Sequence, residues 1–139
     1  MKYKVLIIDD DVNILETIKR RLDFEEKLQV IAKTNPLEAI DMIKREKVDI
    51  ILTDISMPEM NGLDVLKNVK DIDAFAQVII MTGYSTSDLA IECLRYGAND
   101  YLLKPFDDME AIVNLINITI EKIIRWKKII IRSVKTLKV

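Results

Sequence analysis

Apolar positions along this chain fall into short blocks, and the blocks alternate between two periods. Val5 to Ile8 is an unbroken apolar run, and with Tyr3 and Lys4 ahead of it the segment reads as a buried strand. Behind it Ile14, Leu15, Ile18 and Leu22 recur at the spacing of a helix face. The two-beat pattern then repeats. Strands are predicted over residues 28–32, 48–53, 77–81 and 100–103. Helical faces are predicted from Leu37, Ile40 and Ile43, from Leu63, Leu66 and Val69, and from Leu89, Cys93 and Leu94.

Punctuation residues agree with this division. Asp11 can cap the first helix, and Asn35-Pro36-Leu37-Glu38 has the order of an N-cap, a first-turn proline and a capping-box acid. Pro58 and Gly62 break the loop over residues 54–62, Ser85 or Thr86 can cap the fourth helix, and Gly97 is suited to end it in a left-handed conformation. A last helix begins near Asp107. Strands separated by helices of this length make βαβ units and a parallel sheet covered on both faces. Right-handed crossovers leave few topologies. The doubly wound order 2-1-3-4-5 sets strand two at the edge and the switch point between strands one and three.

The polar residues at the strand ends change the picture from fold to chemistry. The first strand ends on Asp9-Asp10-Asp11, the third on Asp54, the fourth on Thr82 and the fifth on Lys104. Strand two ends on Lys33-Thr34-Asn35, which reads as capping. Ligands of open α/β sheets bind at the carboxyl ends of strands, so several carboxylates, a hydroxyl and an ammonium would share one crevice. Crowded carboxylates favour a hard cation, and Mg²⁺ needs only one or two of them besides phosphate and water. A carboxylate can also attack phosphorus and form an aspartyl phosphate. Such a transfer asks for positioning and charge neutralisation, which Lys104 and Thr82 are suited to give.

Composition removes alternatives. The chain has 139 residues, half of them apolar, which suits one domain with a full core. It has no histidine, so a zinc–histidine site, a serine–histidine triad and a phosphohistidine of its own are all excluded. Cys93 is its one cysteine, which points to the cytoplasm. No apolar stretch nears the roughly 20 residues of a transmembrane segment, and the start is too short in apolar residues for a signal-peptide core.

Asp9-Asp10, Asp54 followed by Met57-Pro58 and Asn61-Gly62, Thr82-Gly83, and Lys104-Pro105-Phe106 together resemble the receiver domain of two-component response regulators. The likeness runs from about Lys2 to about Lys122, in order and at fitting spacing. It implies a flavodoxin-like (β/α)₅ fold and a phosphorylation switch, not an enzyme acting on an outside substrate. Asp54 would accept a phosphoryl group from the phosphohistidine of a histidine kinase or phosphotransfer protein. Asp9, Asp10, Asp54 and the Ser56 backbone carbonyl would hold Mg²⁺, and Lys104 would pair with the phosphoryl group. Thr82 would turn toward that group and Tyr101 would swing inward, altering the surface of helix four, strand five and helix five. That surface would serve an output domain, a target protein or a second copy of the chain. The receiver itself would not bind nucleic acid. The likeness also implies a cis Lys104–Pro105 bond, and it gives Ser56 and Tyr84 an influence on phosphoryl lifetime.

Two rivals share these features. A Mg²⁺-dependent phosphohydrolase would carry its nucleophile and acid as Asp-x-Asp, which Asp54-Ile55-Ser56 lacks. A docking module on the same fold would work without phosphorylation or metal.

The end of the chain differs from the rest. From Lys122 onward there are seven Lys or Arg and no Asp or Glu, against 14 basic and 23 acidic residues before it. Met109, Val113, Ile116, Ile120, Ile123, Ile130, Val134 and Leu137 keep a four-three spacing that Lys127 interrupts. One long helix is therefore expected, with residues 1–122 as the domain and residues 123–139 as an extension. The extension suits a linker to an output domain, a dimerisation helix, or a basic amphipathic stretch that meets anionic membrane or nucleic acid.

Overall fold

The computed structural model describes residues 2–106 and 108–137; the predicted helix start at Asp107 lies outside them. In chain order the elements are β1 (Tyr3–Ile8), α1 (Val12–Leu22), β2 (Leu28–Lys33), α2 (Pro36–Arg45) and β3 (Ile50–Asp54), then α3 (Gly62–Ile72), β4 (Gln77–Thr82), α4 (Ser87–Arg95), β5 (Asp100–Leu103) and α5 (Met109–Leu137). The strands form one parallel sheet in the order β2-β1-β3-β4-β5, as the sequence predicts.

Alternation of side chains along the strands splits the apolar residues into two cores. Val5 and Ile7, Ile50 and Leu52, and Ile79 and Met81 pack with Leu15, Ile18 and Leu22 of α1 and with Ile112, Val113, Ile116, Ile120 and Ile123 of α5. Leu6 and Ile8, Ile51, and Val78 and Ile80 pack on the other side with α2, α3 and Cys93 of α4. A strand buried on both faces must be apolar throughout, which is why β1, β3 and β4 read as continuous runs rather than alternating ones.

Four strand boundaries differ from the sequence reading. β3 begins at Ile50 rather than Val48, because the Asp49 carboxylate takes the Lys4 backbone N–H that a ladder carbonyl would otherwise receive. β2, β3 and β4 each run one residue further, to Lys33, Asp54 and Thr82. Of the two candidate caps for α4, Thr86 fills the position and accepts from Leu89 N–H at 3.2 Å. Asp11 and Asn35 cap α1 and α2 as expected, and Gly97 has φ of +92°. α5 is one helix of 29 residues.

Candidate functional site

The order β2-β1-β3 sends the connections from β1 and β3 to opposite faces, so a crevice opens between the ends of those two strands. Ile8 pairs with Thr53 across β1 and β3, which places Asp9 beside Asp54. One carboxylate oxygen from each of Asp9, Asp10 and Asp54 lies within 4.8 Å of the others. Asp9 is fully buried and Asp54 is 6% exposed, while Asp10 reaches solvent. Lys104 arrives from β5 and donates from Nζ to Asp9 Oδ2 at 2.6 Å and to Asp54 Oδ1 at 3.2 Å.

The other oxygen of Asp9 accepts from Asp11 N–H at 2.9 Å, which turns the start of α1 toward the cluster. Asp11 caps α1 through its own Oδ1, which accepts from Asn13 N–H. The three acids that adjoin in sequence thus have separate tasks.

Charge in the cluster is unbalanced. Three carboxylates face one ammonium, which leaves two negative charges without a counter-ion. Burial pushes the Asp54 carboxyl above the ordinary aspartate range, the Asp9 charge adds to this, and Lys104 opposes it. Burial pulls the Lys104 ammonium downward, but its hydrogen bond to Asp9 and the charges of Asp54 and Asp9 outweigh that, so its pKa is raised. An oxygen-only donor set with this excess charge fits a divalent hard cation such as Mg²⁺.

The remaining predicted residues also reach this end of the sheet. Thr82 is 1% exposed, and its Oγ1 accepts from Tyr84 N–H at 3.1 Å. Lys104 N–H donates to the Thr82 carbonyl at 2.7 Å, which ties the last residues of β4 to the β5 exit. The Lys104–Pro105 bond is cis. Ser56 lies on the exposed part of the loop after β3, and Tyr84 is 81% exposed. Tyr101 pairs with Ile80 in register and so shares the α2–α4 face with Thr82, two residues further along β4. Its hydroxyl is 3.1 Å from Ser85 Oγ, in the loop between β4 and α4.

One contributor, Gly62, reads in the sequence as punctuation and as part of the Asn61-Gly62 motif, with no role assigned to it. A Cβ on Gly62 would collide with the Asp54 carbonyl oxygen and lie 2.8 Å from Ile55 Cα. Gly62 N–H also donates to the Ile55 carbonyl at 2.9 Å, and Asn61 caps α3 by accepting from Asp64 N–H. The loop that carries Asp54 is therefore folded back on the first turn of α3, and only glycine permits that approach. An Asn at a helix cap followed by Gly is the available signal; it reads equally as a simple turn.

A doubly wound sheet with a carboxylate cluster and one lysine at its switch point has the donor set that phosphoryl chemistry with a divalent cation asks for. Comparison with known proteins makes the class specific. The response regulator receiver domain family matches residues 5–117, and the chain belongs to that family. The transcriptional regulatory protein ZraR of Klebsiella oxytoca is 38% identical over 106 residues, which cover 74% of this chain but 23% of that protein. Sporulation initiation phosphotransferase F of Bacillus subtilis is 36% identical over 107 residues, covering 77% of this chain and 86% of its own. A beryllofluoride-activated NtrC4 receiver domain dimer superposes with a TM-score of 0.80 at 28% identity, covering 86% of this chain and 98% of that one. The protein is thus a regulatory receiver domain of two-component signalling, a family whose general mechanism is phosphorylation of an aspartate. No helix among the described residues is long and apolar enough to cross a membrane.

Proposed function

We propose that Asp54 is the phosphoacceptor of this receiver, with residues 1–122 as the domain and residues 123–139 as an extension or linker, helical as far as Leu137. The observation that carries the reading is the meeting of Asp9, Asp10 and Asp54 within 4.8 Å, with Lys104 bonded to two of them. An Asp54 carboxylate oxygen attacks phosphorus on the phosphohistidine of a histidine kinase or phosphotransfer protein. The P–N bond breaks, and the departing imidazole nitrogen takes up a proton.

Asp9, Asp10, Asp54 and the Ser56 backbone carbonyl hold Mg²⁺, which supplies neutralising charge for the phosphoryl oxygens. Lys104 donates to one of those oxygens, a bond that replaces its 3.2 Å contact with Asp54. The Thr82 hydroxyl turns to another. Tyr101 then moves into the space beside Thr82 and leaves Ser85, so the surface of α4, β5 and α5 changes. That surface engages an output domain, a target protein or a second copy. The sole hydrolytic activity is loss of its own phosphoryl group, at a rate to which Ser56 and Tyr84 contribute. A single buried cysteine and a cytosolic type of partner suit the cytoplasm.

Incubation with a small phosphodonor and Mg²⁺ tests the assignment. The wild-type chain takes up phosphate that hydroxylamine releases, and Asp54→Asn or chelation of Mg²⁺ abolishes it. Full labelling of Asp54→Asn would reject Asp54 as the acceptor.

A further inference from the structure

We propose that Lys67 and Lys70 of α3 are positioning residues of the switch. They hold the turn that leaves α4, so the helix pivots about its C-terminal end while its N-terminal end follows Thr82. The inference rests on the phosphoacceptor reading and adds to it the direction of the movement.

The two ends of α4 are tied down in different ways. Residues 83–88 are exposed, and the Thr86 cap bonds back to the helix itself. Among the described residues, Ser85 Oγ against the Tyr101 hydroxyl is the one side-chain hydrogen bond from residues 85–88 to the sheet. Tyr101 is a residue that the switch displaces, so this tie is released when the switch acts.

At the other end the contacts come from α3, a firm base whose Val65, Leu66 and Val69 are fully buried. Lys67 Nζ lies 4.2 Å from the centroid of the Tyr96 ring, on the C-cap residue of α4. Lys70 runs beneath Gly97, where a Cβ would meet its Cε at 3.7 Å. Its Nζ donates to the Ala76 carbonyl at 2.8 Å and to Asn99 Oδ1 at 2.9 Å. The same Asn99 oxygen accepts from Val78 N–H at 2.8 Å, and Asn99 N–H donates to the Val78 carbonyl. Lys70 thereby joins α3, the start of β4 and the turn into β5.

Lys70 stands there at a cost. Its ammonium is half-buried on two neutral oxygens, and burial pulls its pKa down, with Asp73 opposing. An apolar side chain of that length would fill the space but align nothing; the ammonium fixes three segments through directed bonds. A nine-residue helix is about 14 Å long, so with one end held a push near Ser85 becomes a tilt. The surface then changes most around Ser87–Ile91 and least around Leu94–Tyr96.

Spin labels on Ser87→Cys and Arg95→Cys, both exposed on α4, are each paired with one on Glu16→Cys of α1; Cys93 is buried and stays in place. Beryllofluoride with Mg²⁺ should shift the Glu16–Ser87 distance by about 2 Å and the Glu16–Arg95 distance by less than half as much. Lys67→Met with Lys70→Met makes the two shifts equal, and Lys67→Arg, which keeps a cation over the ring, behaves as the wild type. Lys67→Met alone spares the buried bonds of Lys70 and still enlarges the Arg95 shift, so the test survives a double variant that fails to fold. Equal shifts at both labels with the lysines intact, or a still Arg95 in both Met variants, would overturn the proposal. Two immobile labels would overturn it as well. Phosphate uptake by the same protein, lost on Asp54→Asn, then shows that the acceptor reading stands, and its absence shows that both fall.

Discussion

Helices α1 and α4 are of similar length and both amphipathic, yet they are seated very differently. α1 buries Leu15, Ile18 and Leu22 to 4% exposure or less. In α4 Cys93 is the buried residue, and Ile91 and Leu94 are 53% and 72% exposed. The cause lies in what each helix covers. α1 packs over the six-residue strands β1 and β2 with α5 beside it, and its three large side chains join the core that Val5, Ile7, Ile50 and Leu52 build. α4 rests near β5, an edge strand of four residues whose Leu103 is itself 60% exposed. A helix held mainly by its cap and by one small side chain opens at lower free energy than one locked by three large ones. The difference bears on where the proposed switch can act: the loosely seated helix adjoins Thr82 and the Ser85–Tyr101 contact, while the firmly seated one starts at the Asp9 side of the site.

The comparison can be broken from the α1 side first. Ile18→Ala should cost about 2–5 kcal/mol in urea unfolding, the range for truncating a buried aliphatic side chain. Gly62→Ala should come next, costing about 1–3 kcal/mol through overpacking against the Asp54 loop. Because that loop carries Asp54, the variant should also take up phosphate from a small donor at least tenfold more slowly, while a general packing defect would leave uptake per folded molecule unchanged. Leu94→Ala on α4 should change stability by less than about 0.5 kcal/mol, since the side chain already faces water. It should still weaken binding to whichever partner reads the α4–β5–α5 surface.

Acidity gives a further, smaller effect of opposite sign. The Asp54 carboxyl titrates above the ordinary aspartate range, so between its unfolded and folded values the folded chain binds more protons than the unfolded one. Its contribution is therefore least unfavourable at low pH and becomes destabilising as pH rises through that window. Asp54→Asn should raise the metal-free melting temperature at neutral pH and remove this part of the slope. Equal slopes for the two proteins in that window would contradict the electrostatic account. Added Mg²⁺ should stabilise the wild type more than the variant.

Much of this arrangement is legible in the residues. β1, β3 and β4 are buried on both faces, so their apolar runs cannot be mistaken for surface strands, and the polar residue ending each run names a member of the site. The strand order then brings β1 and β3 side by side, with Ile8 paired to Thr53. Within Asp9-Asp10-Asp11 the cap of α1 is legible as Asp11, but which of Asp9 and Asp10 is buried on Lys104 is not, because that depends on where the chain turns out of the strand, a difference of one residue. Gly62 is obscure because its need for glycine comes from backbone eight residues earlier in the chain. In α5 the four-three spacing finds Val113, Ile116, Ile120 and Ile123 but passes over Ile112 and Thr119, which are also buried. A helix that packs in the groove between α1 and the sheet buries a wider face than a two-stranded seam does.

Hydrogen exchange along the chain, with and without beryllofluoride and Mg²⁺, tests the central claim most directly. If charge at Asp54 acts through Thr82 and Tyr101 on the loosely seated helix, amides of Ser87–Arg95 and Asp100–Leu103 change their exchange rates while those of Val12–Leu22 keep theirs. A change confined to α1, or an equal change in both helices, would contradict the account.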